Sequence, residues 1–196
     1  VAAAVVFERF FAESQEHVVL EGLTDSKKLS SAGRERFFDI LKSSPSVCIG
    51  VGYASVEEID GLNILAATYE AMKRALADLA DPADYILVDG RPVKGLPLES
   101  TAIVGGDGKS LSIAAASIVA KVVRDRHMKD LDEIHPLYGF AKHKGYGSKV
   151  HMQALFEHGP SPVHRRSFRP VREAESLKRH SIHVSGPGAR GREDIL

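Results

Sequence analysis

The sequence predicts an α/β fold, because continuous apolar runs typical of buried strands alternate with segments of helical periodicity. VAAAVVF at residues 1–7 and YILVDG at residues 85–90 are such runs, and both are typical of strands covered on both faces. A helix with one apolar stripe occupies residues 62–79, and a helix rich in alanine and serine follows a glycine turn at residues 105–108. The 196 residues are enough for one main domain with a substantial core.

The other elements follow from local signals. β-Branched residues predict strands at residues 47–56 and 101–104. Ser30 or Ser31 is placed to cap a helix that ends near Lys42. The stripe of the helix at 62–79 is assigned to core packing and consists of Leu65, Thr68, Met72, Ala75, Leu76 and Leu79.

Three regions of the chain differ in character. Residues 1–147 contain the predicted strands and long helices and form the expected core. Residues 148–170 begin with a serine-capped helix and form a small C-terminal helical part. Beyond Pro170 the periodicity is lost and a segment rich in Gly, Pro and Arg follows, so residues 171–196 are expected to form a flexible tail.

Charge is unevenly distributed along the chain, although the net charge is zero. Residues 1–108 carry 10 Lys and Arg against 17 Asp and Glu, and residues 109–196 carry 16 against 9. An acidic half suits metal ions and a basic half suits an anionic partner, although solvated charge on two faces explains the asymmetry almost as well. No apolar run could span a membrane, no signal peptide is visible, and Cys48 has no partner for an internal disulfide, which together favour a cytoplasmic protein.

Two acids follow predicted strands and are candidate catalytic residues. Asp89 ends the strand YILVD, and Asp107 lies in the glycine turn after the next strand. Open α/β sheets bind ligands at such strand ends. Taken alone, however, Asp89 could equally be a residue that forms the turn before Gly90. YILVD and GGDGKS also resemble parts of a P-loop nucleotidase, but Ile103 stands where the phosphate loop requires glycine, so the nucleotidase is a remote alternative.

A second set of candidates is basic or aromatic. The loop at residues 135–147 is dense in Lys, His and Tyr, and glycines flank Tyr146, so its ring could stack on a nucleotide. The alternative is that Tyr146 only covers the loop. Candidate contacts to phosphate are Lys27, Lys28, Lys142, Lys144, Arg165 and Arg166, against the alternative of a solvated surface. We predict that His151 and His158 are surface residues, since a metal site there lacks Asp or Cys partners.

Six segments taken together resemble bacterial ribonuclease HII, the type 2 ribonuclease H. In chain order they are TDSKKLS, EEIDGLNILAAT, YILVDG, GDGKSLSIAAASIVAKVVRDR, GFAKHKGYGSKVH and GPSPVHRRSF, within a match from Val1 to about Val171. The resemblance implies a ribonuclease H-like mixed sheet flanked by helices, with a small C-terminal helical part.

The resemblance also implies a function. Members hydrolyse the RNA strand of RNA–DNA hybrids and cut at single ribonucleotides embedded in duplex DNA, leaving a 3′-hydroxyl and a 5′-phosphate. Two Mg²⁺ or Mn²⁺ ions held by carboxylates would serve this chemistry, with Asp89 and Asp107 as ligands and catalytic residues. Tyr146 would stack on the sugar of the deoxynucleotide that follows the ribonucleotide. We expect a monomer whose partners are nucleic acids.

One part of the family pattern is missing from the printed sequence. The family uses four carboxylates, and the other two form an adjacent Asp-Glu on the first strand, followed by a Gly-Arg-Gly loop that recognises the ribose 2′-hydroxyl. Both motifs would lie immediately before Val1, and Asp125 is interpreted as a structural acid. We therefore expect the 196-residue chain to be inactive as it stands. The second hypothesis is a hybrid-binding module without catalysis.

Overall fold

A computed structural model describes residues 1–8, 11, 20–23 and 25–184, with the backbone alone for 180–184. The strands within these ranges are β1 (Ala2–Phe7), β2 (Val47–Gly52), β3 (Ile86–Asp89) and β4 (Ser100–Ile103). The helices are α1 (Ser31–Ser43), α2 (Val56–Leu62), α3 (Ile64–Ala77), α4 (Leu111–Ile134), α5 (Phe140–His143), α6 (Lys149–His158) and α7 (Arg169–Val184). This mixed α/β architecture confirms the predicted fold class.

The strands form two separate pairs. β1 is antiparallel to β2, with Ala2 opposite Gly52 and Phe7 opposite Val47. β3 is parallel to β4, with Asp89 opposite Ile103. Among the described residues no strand joins the two pairs, so the second edges of β1 and β3 lack a ladder partner there. A cavity of about 510 Å³ is lined by both of these strands and by side chains of α3 and α4.

Helix α3 lies directly against β2 because both contribute very small residues. Ala67, Ala71 and Ala75 are buried on this face of the helix. A Cβ atom added at Gly50 would lie 2.1 Å from the Ala75 carbonyl oxygen, and one at Gly52 would lie 2.0 Å from the Ala71 oxygen. Such distances are impossible for real atoms, so the close approach depends on glycine in the strand and alanine in the helix.

The single helix predicted at residues 62–79 is wrong. Asn63 has a φ of 80°, which breaks the segment into α2 and α3, and its side chain accepts hydrogen bonds from the first amides of α3. The predicted apolar stripe is also partly wrong, since Leu65 is 58 % exposed. Alanines face β2 instead, whereas Thr68, Met72 and Leu76 line the cavity.

The main core lies between the first strand pair, α1 and α4. Helix α4 contributes Ala115, Ile118, Val119 and Val122, all with 2 % exposure or less. From α1 and β1 the buried partners are Phe37, Phe38, Leu41 and Val5. The predicted N-cap of α1 is confirmed, since the Ser30 side chain accepts a hydrogen bond from the Gly33 amide at 3.0 Å.

The chain divides into two compact units, residues 1–130 and 131–196, and not after residue 147 as the sequence predicted. In the second unit, Tyr138 stacks on Phe140 with ring centroids 5.4 Å apart, and both rings contact His164. The loop that contains them therefore packs with the C-terminal helices, which explains the earlier boundary.

The predicted flexible tail is wrong in its first part. Helix α7 begins at Arg169, and its residues Val171 and Ala174 are buried against Leu155 of α6. Val171 and Ala174 lie three residues apart and so share one face of the helix, but two apolar residues among charged ones give only a weak helical pattern in the sequence. Residues 185–196 lie outside the described residues.

Candidate active site

The parallel pairing of β3 and β4 places two acids at the same end of that strand pair. Asp89 is the last residue of β3, and the turn that contains Asp107 follows β4. Carboxyl ends of parallel strands lie at a common edge, where α/β proteins bind ligands. The two candidate acids therefore lie at the same end of this strand pair.

Gly106 lies between the two acids and fixes one of them. Its amide donates a hydrogen bond to Oδ1 of Asp89 at 2.9 Å. A Cβ atom at this position would meet Ile113 at 2.5 Å and the same Asp89 oxygen at 3.4 Å. Glycine therefore lets the turn lie close to both the first turn of α4 and the Asp89 carboxylate, whereas a larger residue would have to displace the Ile113 side chain.

Asp107 is the buried acid of the site. It is 8 % exposed and lies in a short 3-10 turn, Gly106–Gly108, directly before α4. Lys27 extends its ammonium group to 3.6 Å from Oδ2 of Asp107, while the Lys27 side chain remains 83 % exposed. A buried carboxylate requires a cationic partner or a bound cation, and the solvated Lys27 is a partner that can move away.

The segment that contains Lys27 is anchored on both sides. Ser26 is buried, and its hydroxyl lies 2.9 Å from that of Ser117 on α4. Arg34 of α1 donates to the carbonyl oxygens of Ser26 and Leu29, at 3.0 and 2.6 Å. Ser117 is one of the small residues of α4, and it allows this segment to lie close to the helix.

Asp25 is a further acid close to Asp107, and the sequence did not single it out. The Lys27 amide donates to its carboxylate at 2.9 Å and holds the pKa of Asp25 below its usual range. Smaller contributions in the same direction come from the charges of Lys27 and Lys28 and from the nearby Asp107 side chain. The available signal was the spacing Asp-Ser-Lys, which suits an Asx turn that orients the lysine.

The donor chemistry of Asp89 and Asp107 fits a hard divalent cation. Carboxylate oxygens are the ligands that Mg²⁺ and Mn²⁺ prefer, and one carboxylate is already oriented by a backbone amide. Within the described ranges, however, no three His, Cys, Asp or Glu side chains are grouped so that they could hold a metal ion. The described residues therefore supply only part of a ligand set.

The predicted nucleic-acid contacts are divided between the two compact units. Lys27 and the exposed Lys28 lie in the first unit with the acids. The others lie in the second unit and are Lys142, Lys144, Tyr146, Arg165 and Arg166.

Tyr146 is presented outward by a tight turn after α5. Lys144 and Gly145 both have positive φ, 51° and 76°, and the Tyr146 amide donates to the His143 carbonyl oxygen at 2.9 Å. The Tyr146 side chain is 61 % exposed. This exposure is compatible with stacking on a ligand and equally with the alternative that Tyr146 only covers the loop.

The two predicted arginine contacts differ in their present partners. Arg165 lies over the ring of Phe168, with its guanidinium carbon 5.5 Å from the centroid. Arg166 pairs with Glu175 of α7, with Nη1 at 3.1 Å from the carboxylate oxygen. A phosphate contact by Arg166 would therefore compete with this ion pair.

The prediction that His151 is a surface residue is wrong. It is 5 % exposed, and with Ala154 and Leu155 it forms the buried face of α6. Their spacing of three and four residues is helical and could have revealed this burial from the sequence. His158, two turns later, is half-buried.

Comparison with known proteins assigns the chain to a family. The family model named Ribonuclease HII matches residues 1–171. The chain belongs to the ribonuclease HII family. A curated ribonuclease HII from Syntrophotalea carbinolica is 52 % identical over 173 residues, which cover 88 % of this chain and 79 % of that protein. Another from Rhodospirillum rubrum is 53 % identical over 174 residues, with 89 % and 78 % covered.

A solved structure supports the fold of this ribonuclease HII chain. The ribonuclease H2 from Pyrococcus horikoshii OT3 superposes with a TM-score of 0.70 at 24 % sequence identity, covering 90 % of this chain and 98 % of that one. The family supports ribonuclease H function, so the chain is of a nuclease family. The P-loop nucleotidase alternative is wrong, because one family model spans both segments on which it rested.

In the part of the chain that the structure describes, no helix combines the length and the apolar character needed to cross a bilayer.

Proposed function

We propose that the function of this ribonuclease HII chain is endonucleolytic cleavage of RNA in duplexes with DNA. Its substrates are RNA–DNA hybrids and duplex DNA with single embedded ribonucleotides, its products carry a 3′-hydroxyl and a 5′-phosphate, and its cofactor is Mg²⁺ or Mn²⁺. The observation that carries this proposal is the hydrogen bond from Gly106 to Asp89, which holds Asp89 beside the turn of Asp107 in a chain of this family.

In this proposal Asp89 and Asp107 hold the divalent metal. When bound, the metal supplies activation of water and stabilisation of the leaving oxygen in phosphodiester hydrolysis. Gly106 orients the Asp89 carboxylate through one of its two oxygens, so that little reorganisation is needed when a cation binds. Lys27 compensates the charge of Asp107 and can turn outward to a phosphate, since most of its side chain is exposed.

The products of cleavage test this reaction. The assay uses two end-labelled duplexes, a long RNA–DNA hybrid and a DNA duplex with one ribonucleotide. It uses an extended form of the protein, defined as residues 1–196 preceded by a strand that carries Asp-Glu and Gly-Arg-Gly. Metal-dependent cleavage should leave 5′-phosphate and 3′-hydroxyl ends. Ends with a 2′,3′-cyclic phosphate would contradict metal-assisted hydrolysis, because they arise from attack by the ribose 2′-hydroxyl.

Replacement of Tyr146 by alanine should affect the two substrates unequally. Stacking of an aromatic ring on a nucleotide contributes about 1–3 kcal/mol, so the KM for the single-ribonucleotide duplex should rise about 5- to 150-fold. The long hybrid offers many equivalent cleavage positions and should be affected less. The measurement is kcat/KM on both duplexes, with Tyr146→Phe as the matched control because it retains the ring. Equal losses on the two substrates would contradict the junction-specific role of Tyr146.

Simultaneous neutralisation of Lys144 and Arg165 should weaken the salt dependence of duplex binding. Each phosphate contact releases condensed counterions, so the slope of log affinity against log salt should fall by about 0.9 for each lost contact. The variants Lys144→Gln and Arg165→Gln are combined, and binding is measured in Ca²⁺ or EDTA by anisotropy. The control combines Lys42→Gln and Lys129→Gln, two exposed cations outside the candidate set. An unchanged slope in the first double variant would assign Lys144 and Arg165 to the solvated surface.

A further inference from the structure

A chain of hydrogen bonds in the second unit connects a buried histidine pair to the backbone of Tyr146. Nδ1 of His151 lies 3.0 Å from the Tyr146 carbonyl oxygen. Nε2 of His151 lies 3.1 Å from Nε2 of His164. Nδ1 of His164 lies 3.1 Å from the amide nitrogen of Ser161 and 2.7 Å from its hydroxyl oxygen. All four ring nitrogens are therefore engaged.

The two ends of this chain of hydrogen bonds determine which atom donates and which accepts in each of its bonds. The backbone amide of Ser161 can only donate, so Nδ1 of His164 is an acceptor and Nε2 carries the proton. The Tyr146 carbonyl can only accept, so His151 carries its proton on Nδ1 and accepts from His164 through Nε2. Both assignments agree at the bond between the two rings, where His164 Nε2 donates to His151 Nε2. One neutral tautomer of each histidine therefore satisfies all of these hydrogen bonds.

The surroundings favour these neutral forms. His151 and His164 are 5 % and 6 % exposed. Burial lowers the pKa of both rings, that of His164 to about 4, and repulsion from His151, Arg166 and His135 acts in the same direction on His164. On His151, the Tyr146 bond opposes the effect of burial and the charge of His143 adds to it. The remaining neighbours are neutral rings, those of Tyr138 and Phe140.

A third histidine supports the same turn from its other side. The His143 ring is stacked on that of His151, with centroids 4.2 Å apart and an angle of 10° between the planes. His143 Nε2 lies 2.7 Å from the Tyr138 carbonyl oxygen, and its Nδ1 accepts from the Gly145 amide at 3.2 Å. The residues before and at Tyr146 are thus bonded to imidazole rings at two points.

We propose that His151 is a positioning residue, which holds the Tyr146 backbone in a tautomer that His164 fixes through a one-way chain of hydrogen bonds, and thereby determines where the Tyr146 ring is presented. The expected effect on cleavage rests on the proposed contact of Tyr146 with nucleic acid. The expected effect on the position of the Tyr146 turn does not depend on that contact. An added proton on either ring would place a donor opposite a donor, at Ser161 or at the central bond. Acid should therefore release the turn.

The direction of this pH dependence follows from the lowered pKa values. A histidine whose pKa falls on folding stabilises the folded arrangement fully above its unfolded value, roughly 6.5. That stabilisation is lost as the pH falls through the window down to the folded pKa, about 4 for His164. The Tyr146 turn should consequently be held at neutral pH and released under mildly acidic conditions.

Nitrogen NMR of the unsubstituted protein tests the tautomers directly. Long-range ¹H–¹⁵N spectra of the extended form, which is the form expected to fold cooperatively, should show His151 protonated on Nδ1 and His164 on Nε2 at pH 7. Both rings should stay neutral well below the pH at which exposed histidines titrate. The opposite tautomer of either ring, or an ordinary titration of both, would overturn the proposal without any variant having to fold.

Two substitutions of His151 separate its two bonds. The side-chain amide of His151→Asn reaches the position of Nδ1 and retains the bond to Tyr146, whereas that of His151→Gln reaches the position of Nε2 and retains the bond to His164. Tyr146→Trp provides the reporter, since the sequence contains no tryptophan. At pH 7 the tryptophan emission maximum of the His151→Gln variant should shift toward the value that the unsubstituted reporter protein shows in acid, where the turn is released. The emission maximum of the His151→Asn variant should remain unshifted. His158→Gln, on the same helix, is the control.

Cleavage provides the second measurement. His151→Gln should raise the KM for the single-ribonucleotide duplex about tenfold, as expected for one lost hydrogen bond of about 1.4 kcal/mol, with kcat changed less than about twofold. His151→Asn should stay near the unsubstituted enzyme. Equal effects of both variants on emission and KM would reduce His151 to core packing and overturn the proposal. If Tyr146→Ala leaves cleavage unchanged, the proposed role of Tyr146 fails, while the emission and NMR results still decide the role of the histidines.

Discussion

Extension of the 196-residue chain by an N-terminal strand with Asp-Glu and Gly-Arg-Gly is expected to produce a folded, metal-dependent nuclease from an inactive chain. The expected gain in cleavage is more than about a hundredfold, since even groups that only support metal ligands contribute 10–100-fold. The extended form should also melt cooperatively. By contrast, the 196-residue chain alone should be poorly soluble or partly unfolded.

Three features of the structure motivate this expectation. The second edges of β1 and β3 have no strand partner among the described residues. The cavity of about 510 Å³ is lined by both strands, and Asp89 is one of its lining residues. Unpaired edges and exposed apolar faces favour aggregation. A strand in this position could pair with both edges and bring its acids toward Asp89.

Thermal unfolding and cleavage of a single-ribonucleotide duplex are the measurements, with Mg²⁺ or Mn²⁺ present. The matched control is the same extension with Asn-Gln in place of Asp-Glu, which should restore the melt without the activity. A cooperative melt with metal-dependent cleavage by the 196-residue chain would contradict the prediction. If the extended form folds and binds hybrids but does not cleave, the hybrid-binding module becomes the better interpretation.

Asp89→Asn and Asp107→Asn, each in the extended form, are expected to lower kcat by more than about a hundredfold while duplex affinity changes little. Neutralising a carboxylate removes a metal ligand, and its effect should exceed that of changing a group that only supports a ligand. Phosphate contacts made by basic side chains are not altered. For Asp107 a second effect is expected, since the neutral side chain no longer pairs with Lys27.

Cleavage rates across a titration of Mg²⁺ and Mn²⁺ provide the measurement, together with duplex affinity in EDTA. Stabilisation of the protein by metal, followed as a shift of the melting temperature, gives a readout that does not require turnover. The matched control is Asp81→Asn, an exposed acid eight residues before Asp89. Rates like those of the unsubstituted enzyme in either variant, at ordinary metal concentration, would remove that residue from the metal site.

The candidate site shows which inferences a sequence supports well. Asp89 and Asp107 were predicted because each follows an apolar strand, and parallel pairing places both at one end of β3 and β4. The role of Gly106 was visible only as a glycine-rich turn, since its contact with Asp89 depends on two segments 17 residues apart. Asp25 was missed for the same reason, because its proximity to Asp107 spans 82 positions of sequence and leaves no local pattern.

Elements whose formation depends on local geometry were predicted with the least error. Ser30 and Ser148 cap their helices as expected, because a cap needs only the side chain and amides two or three residues ahead. The helix at residues 62–79 was predicted as continuous, since apolar periodicity does not reveal a residue such as Asn63 with positive φ. The stripe residue Leu65 proved exposed because glycines in β2 select alanines as the helix face.

By itself, the sequence determined the α/β class, the two strand-end acids and the exposed tyrosine of a glycine-flanked turn, and its motifs indicated the family. These features depend on periodicity, on residue type and on short-range spacing, which are properties of the chain before it folds. Only the tertiary structure decided that α7 packs on α6, and that His151 and His164 are buried and bonded to each other. The physical reason is that burial and a hydrogen bond between distant residues depend on which surfaces meet, and no local pattern records that.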